Sequence, residues 1–187
     1  MVAIAFSQGR FTVTTNYAVN PSTGTALVSN TWYDAGGNVI MSMPAGSKTF
    51  SKTVYDILGR ATTQYVGIFT GTLSYTEATT VANDTIMEQQ DMTYNPIGTV
   101  ISSVSRQRYH DAAVSQLGAL GHPSTTPKAR VTYSASWIDG VGRQFASADY
   151  GTNGGSTFTP SISAAVNMRM IMTNSGDRFR TASCLWA

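Results

Sequence analysis

The chain has 187 residues, of which 42% are hydrophobic and only 12% are charged, and its formal net charge is +2 at pH 7. This apolar content is enough to build a packed core, so the composition excludes a disordered chain. The 12 basic residues are spread along the sequence instead of forming a basic patch, and no nucleic-acid partner is therefore expected.

The two ends of the chain carry few signals. Residues 1–6 are mostly apolar, but they are too few for a signal peptide or for a membrane span. We therefore expect no membrane span, and we expect any export signal to lie outside this chain. The single cysteine, Cys184, permits neither an internal disulfide nor a metal site built from several thiolates.

A short pattern recurs along the chain: an aromatic or apolar residue, Asp or Asn, two variable residues, Gly and a polar residue. The Asp or Asn side chain accepts hydrogen bonds from following backbone amides and so starts a turn, and Gly supplies the positive φ that closes it. Each copy is therefore predicted to form the tip of a β-hairpin. The predicted turn residues are Tyr33, Asp34 and Gly37, then Tyr55, Asp56 and Gly59, then Tyr94, Asn95 and Gly98, then Asp139 and Gly142, and finally Asn174 and Gly176.

The spacing of the turns indicates a repeat. Gly37 and Gly59 are 22 residues apart, and the next two intervals, of 39 and 44 residues, are each close to two such periods. Residues alternate on either side of the turns, and residues 85–94 and 99–109 are predicted to be two long strands. The sequence thus predicts an all-β fold over residues 1–187, in which consecutive antiparallel hairpins form one continuous twisted sheet.

The segments between the turns are predicted from their Gly and Pro content. Residues 118–127 and 150–157 are predicted to be loops, because they are rich in residues that interrupt strands. Residues 111–117 are the one segment expected to form a turn or two of helix.

The turns resemble the YD repeat of Rhs proteins, teneurins and related insecticidal toxin subunits. Tyr33-Asp34 and Tyr55-Asp56 carry the dipeptide itself, followed by two variable residues, Gly and a polar residue. The fourth copy has Ile138 in place of tyrosine, and the fifth has a shorter spacing. The resemblance covers residues 28–183 in discontinuous pieces.

This resemblance implies a function as well as a fold. In the family, such hairpins join into a sheet that spirals into a hollow shell, often around a toxic C-terminal domain. Five turns are too few to close a shell, so the chain is expected to be part of a repeat region. The implied function is a non-catalytic structural scaffold, extracellular or on the cell surface, whose partners are neighbouring repeats or domains.

Two other functions remain open. The first is a carbohydrate-binding or adhesion module for surface glycans, because aromatic faces stack on sugar rings; its candidate residues are Trp32, Trp137 and Trp186, although core packing is the favoured role for them. The second, less favoured, is a hydrolase. The low charge content also predicts self-association through uncovered edge strands.

No enzymatic or cofactor site is predicted. His110 and His122 are the only histidines, and apart from Asp111 no further ligand groups with them for a metal site. The three turn aspartates already have a role in starting turns, which argues against paired catalytic carboxylates. Arg106 and Arg108, beside Tyr109, form the densest basic group and are expected to lie on a solvated strand face without a partner.

Overall fold

The structure, a computed structural model, describes residues 2–7, 10–17 and 27–158, with side chains from residue 28 onward. It contains one ten-stranded antiparallel sheet in which every strand pairs with the strands that precede and follow it in the chain. The predicted all-β fold of consecutive hairpins is thereby confirmed. In order, the strands are β1 (Val2–Ser7), β2 (Arg10–Tyr17), β3 (Leu27–Tyr33), β4 (Val39–Met43), β5 (Thr49–Tyr55), β6 (Ala61–Ile68), β7 (Thr85–Tyr94), β8 (Val100–Arg108), β9 (Ala129–Ile138) and β10 (Gln144–Gly151).

The four predicted turns in the described residues join β3 to β4, β5 to β6, β7 to β8 and β9 to β10. Because each hairpin pairs with the next, these turns follow one another along one end of the sheet. The turns at Gly59, Gly98 and Gly142 belong to consecutive hairpins, so the prediction of two periods in each long interval is wrong. The extra length lies in the connections at residues 69–84 and 109–128, at the opposite end of the sheet.

Each hairpin closed by one of the four predicted turns has the same irregularity on its returning strand. Trp32 pairs with Met41 while Tyr33 pairs with Val39, so Ile40 has no partner of its own and forms a β-bulge. A bulge at Ile40 explains why it and Met41 are both buried, against the alternation of a regular strand. The equivalent bulges, each six residues after the turn Asp or Asn, are Ile40, Thr62, Ile101 and Phe145.

The two faces of the sheet differ in chemistry. Side chains of cross-strand partners lie on the same face, and they form rows across the sheet. One face is polar and open to solvent, with a row made of Thr31, Ser42, Ser51, Val66, Glu88, Gln107 and Arg130. On the other face a central row consists of Trp32, Met41, Lys52, Tyr65, Gln89, Arg106 and Val131.

The two long connections cover this second face. They contribute Phe69, Ala78 and Leu120 to a core cluster with strand residues, among which Phe50 and Ile86 are almost completely inaccessible. The remaining buried members are Trp32, Ile40, Met41, Met43 and Ala129. In the described part of the chain, the sheet thus obtains a core without a second sheet, because its own connections fold back over it.

The only α-helix in the described residues is α1 (Tyr75–Ala78), which the sequence analysis missed. The Ser74 hydroxyl accepts a hydrogen bond from the amide of Glu77, which is the Ser-x-x-Glu pattern of a helix start. Residues 111–117, predicted to be helical, form turns instead. Their carbonyls bind the Arg108 side chain, which reaches the carbonyl oxygens of Ala113 and Gln116.

The loop predictions are partly correct. Residues 118–127 lie in an irregular connection, as predicted. In the segment 150–157, however, Tyr150 and Gly151 still belong to β10, and residues Asn153–Gly155 form a 3-10 turn.

Candidate functional site

The turns have a common hydrogen-bond pattern, seen clearly at Asp56. The amide of Asp56 donates to the carbonyl of Arg60 at 2.9 Å, and the amide of Gly59 donates to the carbonyl of Asp56 at 2.9 Å. The carboxylate oxygen Oδ1 accepts the amides of Leu58 and Arg60, at 2.9 and 3.0 Å. This is a type I turn closed by a left-handed glycine, since φ at Gly59 is 74°.

The other three described turns repeat this pattern. The side-chain oxygen Oδ1 of the turn residue accepts the amide four residues on, at 2.8 Å in each case. All three glycines have φ between 83° and 87°. These turns are built on Asp34, Asn95 and Asp139, and their glycines are Gly37, Gly98 and Gly142. The predicted turn at Asn174 and Gly176 lies outside the described residues.

Two tyrosines of the repeat join their hairpins to the preceding ones. The Tyr55 hydroxyl donates to the carbonyl of Val39 at 3.0 Å, and the Tyr94 hydroxyl donates to the carbonyl of Ala61 at 2.8 Å. In both cases the acceptor is five residues after the turn Asp of the previous hairpin. We call this contact the tyrosine clamp. The fourth hairpin has Ile138 at the equivalent position, which provides no hydroxyl.

Arg60 joins the second turn to the third. Its guanidinium binds Asp56 within its own turn, with Nε at 2.7 Å from Oδ2. It also lies over the Tyr94 ring, 4.7 Å from the ring centroid, and its Nη1 is 3.4 Å from the carbonyl oxygen of Asn95. The sequence-predicted turn residues are therefore in contact from one hairpin to the next and form a connected edge.

Removing one clamp tests its contribution. Tyr94→Phe is expected to lower the free energy of unfolding by about 1 kcal/mol, because the carbonyl of Ala61 loses its hydroxyl donor while the ring is retained. Urea unfolding of variant and parent measures this directly. Equal midpoints and equal slopes for the two proteins would show that the clamp contributes nothing.

Ile138→Tyr is the matched gain-of-contact variant. It places a hydroxyl where the repeat would direct it, toward the carbonyl of Val100, five residues after Asn95. We expect the free energy of unfolding to rise by about 0.5–1 kcal/mol, as for one added hydrogen bond. A lower urea midpoint would mean that the third junction has no room for a clamp.

The pKa values of the three turn carboxylates lie below the ordinary value of 3.8. Hydrogen bonds from the backbone and side chain of Arg60 lower the pKa of Asp56, and those from Arg143, first its backbone amide, lower the pKa of Asp139. For Asp34, burial raises the pKa, but the hydrogen bonds from Asn38 lower it by more than burial raises it, so the net shift is downward. A carboxylate whose pKa is lower in the folded protein stabilises the fold at pH values above its pKa in the unfolded chain. That stability is lost as the pH falls through the pKa of the folded state.

Asp56→Asn isolates this pH dependence. Asparagine still offers an acceptor oxygen, as Asn95 does in the third turn, but it does not titrate. The variant is expected to melt at a lower temperature than the parent at neutral pH, with the gap closing as the pH falls below 3.8. Melting curves between pH 7 and pH 2.5 measure the gap. A constant gap over that range would contradict the lowered pKa.

A buried ion pair is the main feature that sequence reasoning missed. Lys52 is 3% exposed and Asp84 1% exposed, and Nζ of Lys52 lies 2.5 Å from Oδ2 of Asp84. The same ammonium donates to the carbonyls of Glu77 and Thr80, at 2.7 and 2.6 Å, so all three of its donors are used. Burial raises the pKa of Asp84, and the hydrogen bond and charge of Lys52 oppose that rise.

Lys52 therefore attaches the connection 69–84 to the sheet, and Arg108 does the same for the connection 109–128. Arg108 donates to the carbonyls of Ile86, Ala113 and Gln116, at 3.1, 2.5 and 2.8 Å. Arg106 forms an ion pair with Asp91, and burial lowers its pKa. The expectation of a solvated face for Arg106 and Arg108 is thus wrong, because both lie on the face that the connections cover.

A groove lies where α1 and the residues after it meet β5 and β6. Its volume is about 230 Å³ and its walls include Tyr55, Tyr65 and Tyr75. Asp34 and Asp56 lie on its border toward the turns. The carboxylates are already bound within their turns, so the groove offers aromatic surface more than unpaired charge.

The remaining candidates do not assemble into a site. Trp32 and Trp137 are 4% and 8% exposed, so neither presents a face for a sugar ring, while Trp186 and Cys184 lie outside the described residues. Across the described part of the chain, no three His, Cys, Asp or Glu residues are grouped as a metal site. His110 is exposed, and the ring of His122 lies near Ser124.

No protein-family model matches this chain, and the search of curated proteins finds no match to it. Among the described residues, no helix has the length and apolar character needed to cross a membrane.

Proposed function

We propose that this chain is a non-catalytic structural scaffold of the Rhs or YD-repeat type, part of a secreted or cell-surface protein that carries or encloses other domains. The observation that carries the proposal is the contact between consecutive turns through the tyrosine clamps and Arg60. A turn pattern alone is common in hairpins. Here the tyrosine that begins the turn also bonds to the preceding hairpin. A repeat with this contact can add further hairpins to the same sheet.

The chemistry of the strongest polar groups supports this function. Lys52, Asp84, Arg108 and the turn carboxylates all bind backbone groups or one another, which is what structural residues do. In the described residues, Lys52 and Arg108 on the covered face attach connections to the sheet, and Arg106 pairs with Asp91 on the neighbouring strand.

Surface exposure in the source organism tests the proposal. An antibody raised against the purified chain is expected to detect a polypeptide larger than 19.9 kDa, because the scaffold carries further domains. In intact cells that polypeptide should be degraded by added protease, or the antibody should find it in the medium. A polypeptide that is protected in intact cells and degraded only after lysis would contradict the proposal.

Glycan binding is the second candidate, and the groove favours it. Its three tyrosines provide aromatic surface near threonine and carboxylate groups, the combination that sugar sites use. A glycan array probed with the parent chain and with Tyr65→Leu tests this function. Binding by the parent that the variant loses, with Tyr109→Leu as the control outside the groove, would favour it over the scaffold alone.

A further inference from the structure

The buried pair of Lys52 and Asp84 lies in surroundings that disfavour charge. Nζ of Lys52 is 4.8 Å from the ring centroid of Phe50 and 5.6 Å from that of Phe69. The two rings meet edge to face, with their centroids 6.4 Å apart, and both belong to the core cluster. In such a setting burial favours the neutral forms of an amine and of a carboxyl group, because each buried charge costs solvation energy.

Hydrogen bonds fix the direction of the amine. Two of its N–H groups donate to the carbonyls of Glu77 and Thr80, and the third is directed at Oδ2 of Asp84, 2.5 Å away. A proton transferred along this third bond leaves a neutral amine whose two remaining N–H groups stay on the two carbonyls. The lone pair of the nitrogen then points at the carboxyl group. The same transfer makes that group a carboxylic acid, whose hydroxyl can leave as water.

The carboxyl group of Asp84 is poorly stabilised as an anion. Its oxygen Oδ1 is buried and has no hydrogen-bond partner among the described residues. Burial, and in addition the negative charge of Glu77, raises the pKa of Asp84, while the hydrogen bond and charge of Lys52 oppose the rise. A neutral carbonyl oxygen costs less to bury without a partner than an anionic oxygen does. A neutral amide would therefore remove unfavourable charge from the core.

We propose that Lys52 and Asp84 condense into an amide, which is an isopeptide cross-link between β5 and the residue before β7. A bond forms between Nζ of Lys52 and Cγ of Asp84, and the bond from Cγ to the hydroxyl oxygen of the acid breaks. The nitrogen gives up one proton, which leaves with the hydroxyl as one water molecule. The reaction needs no oxidant, reductant or cofactor. The amide keeps one N–H, which donates to one of the two carbonyls that held the amine.

The fold supplies what this reaction lacks in solution. A free amine and a free carboxylic acid are both charged at neutral pH and meet only by diffusion. Groups held in contact by a fold react as if one of them were present at about 10⁵ M or more. The apolar cluster also excludes the water that would reverse the reaction. Because the two residues are 32 positions apart, they meet only when the connection 69–84 packs on the sheet, so the bond follows folding.

The cross-link closes the connection 69–84 into a covalent loop with β5 and β6. The connection then stays attached to the sheet when the sheet is warmed or placed under tension. This inference goes beyond the proposed scaffold function and does not depend on it, since it concerns one pair of side chains within the chain.

The mass of the intact, denatured protein tests the cross-link. The parent is expected to be lighter than its sequence mass by one water molecule. Lys52→Arg and Asp84→Ala should have their full sequence masses, because each removes one reacting group. Asp84→Asn should be lighter than its own sequence mass by one ammonia molecule, since the leaving group is then an amine. Lys48→Ala changes an exposed lysine and should still lose one water.

Digestion locates the bond. Trypsin together with a glutamate-specific protease should release residues 49–60 joined to residues 78–88. These peptides are separated by residues 61–77, so their combined mass matches no continuous peptide of the chain. A parent at its full sequence mass would overturn the proposal. A loss of water that persists in Asp84→Ala would also overturn it, because it would arise elsewhere, as by ring closure at Asp139-Gly140. Protease exposure on intact cells judges the scaffold function separately.

Discussion

Lys52→Ala is expected to lower the free energy of unfolding by about 3–5 kcal/mol, the largest effect of any single substitution considered for this protein. The variant leaves the carboxylate of Asp84 buried without a counter-charge, and one of its oxygens, Oδ1, already has no hydrogen-bond partner. It also leaves the carbonyls of Glu77 and Thr80 without their donor. Urea unfolding measures the loss.

Two controls make this result specific to the buried pair. Lys48→Ala removes an exposed lysine just before β5 and should change the free energy of unfolding by less than about 0.5 kcal/mol. The double variant Lys52→Met with Asp84→Leu should be more stable than Lys52→Ala, because no unpaired charge stays buried. A double variant as unstable as the sum of its single changes would show that the two residues act independently.

Gly67→Ala is expected to destabilise the protein by about 3 kcal/mol. A Cβ atom at this position would lie 2.6 Å from the carbonyl oxygen of Thr85 and 2.9 Å from Cζ of Phe50. The first contact is with backbone, so relief requires β6 and β7 to move apart. The requirement is a close approach of strands, since Gly67 pairs with Ile86 across the β6–β7 junction.

Gly71→Ala is the matched control for this substitution. Its nearest contact would be 3.4 Å, with the flexible carboxylate of Glu77, so the same added methyl group should be tolerated. Thermal melting of the two variants is expected to separate them by several degrees. Equal melting temperatures would show that the strands at Gly67 shift apart at little cost.

The features that could be predicted from the sequence are those set by a few adjacent residues. The turns at Asp34, Asp56, Asn95 and Asp139 form where they were predicted, because an acceptor side chain and a glycine three residues later are sufficient to close them. Strands β7 and β8 also lie within one residue of their predicted bounds, since a turn fixes the register of the strands it joins.

The features that could not be predicted depend on contacts between distant segments. The Lys52–Asp84 pair spans 32 residues, and Arg108 acquires its role only when the connection 109–128 folds over the sheet. One signal for Lys52 was present, since it falls in phase with Phe50 and Val54 on an alternating strand. The Ser74 start of α1 was likewise visible in the sequence, but the interruption of the repeat by long connections obscured it.

The β-bulges carry a consequence for the shape that such a sheet takes as it lengthens. Each of these four bulges adds one residue to the returning strand near the turn, whereas further bulges at Met87 on β7 and Tyr150 on β10 lie away from the turns. A bulge bends its strand and increases the local right-handed twist. Because this bend recurs at the same distance from each of the four turns, the bends of successive hairpins have the same direction and accumulate along the sheet. Curvature is thus a property of the repeat unit, and the number of hairpins sets how far the sheet turns through an arc.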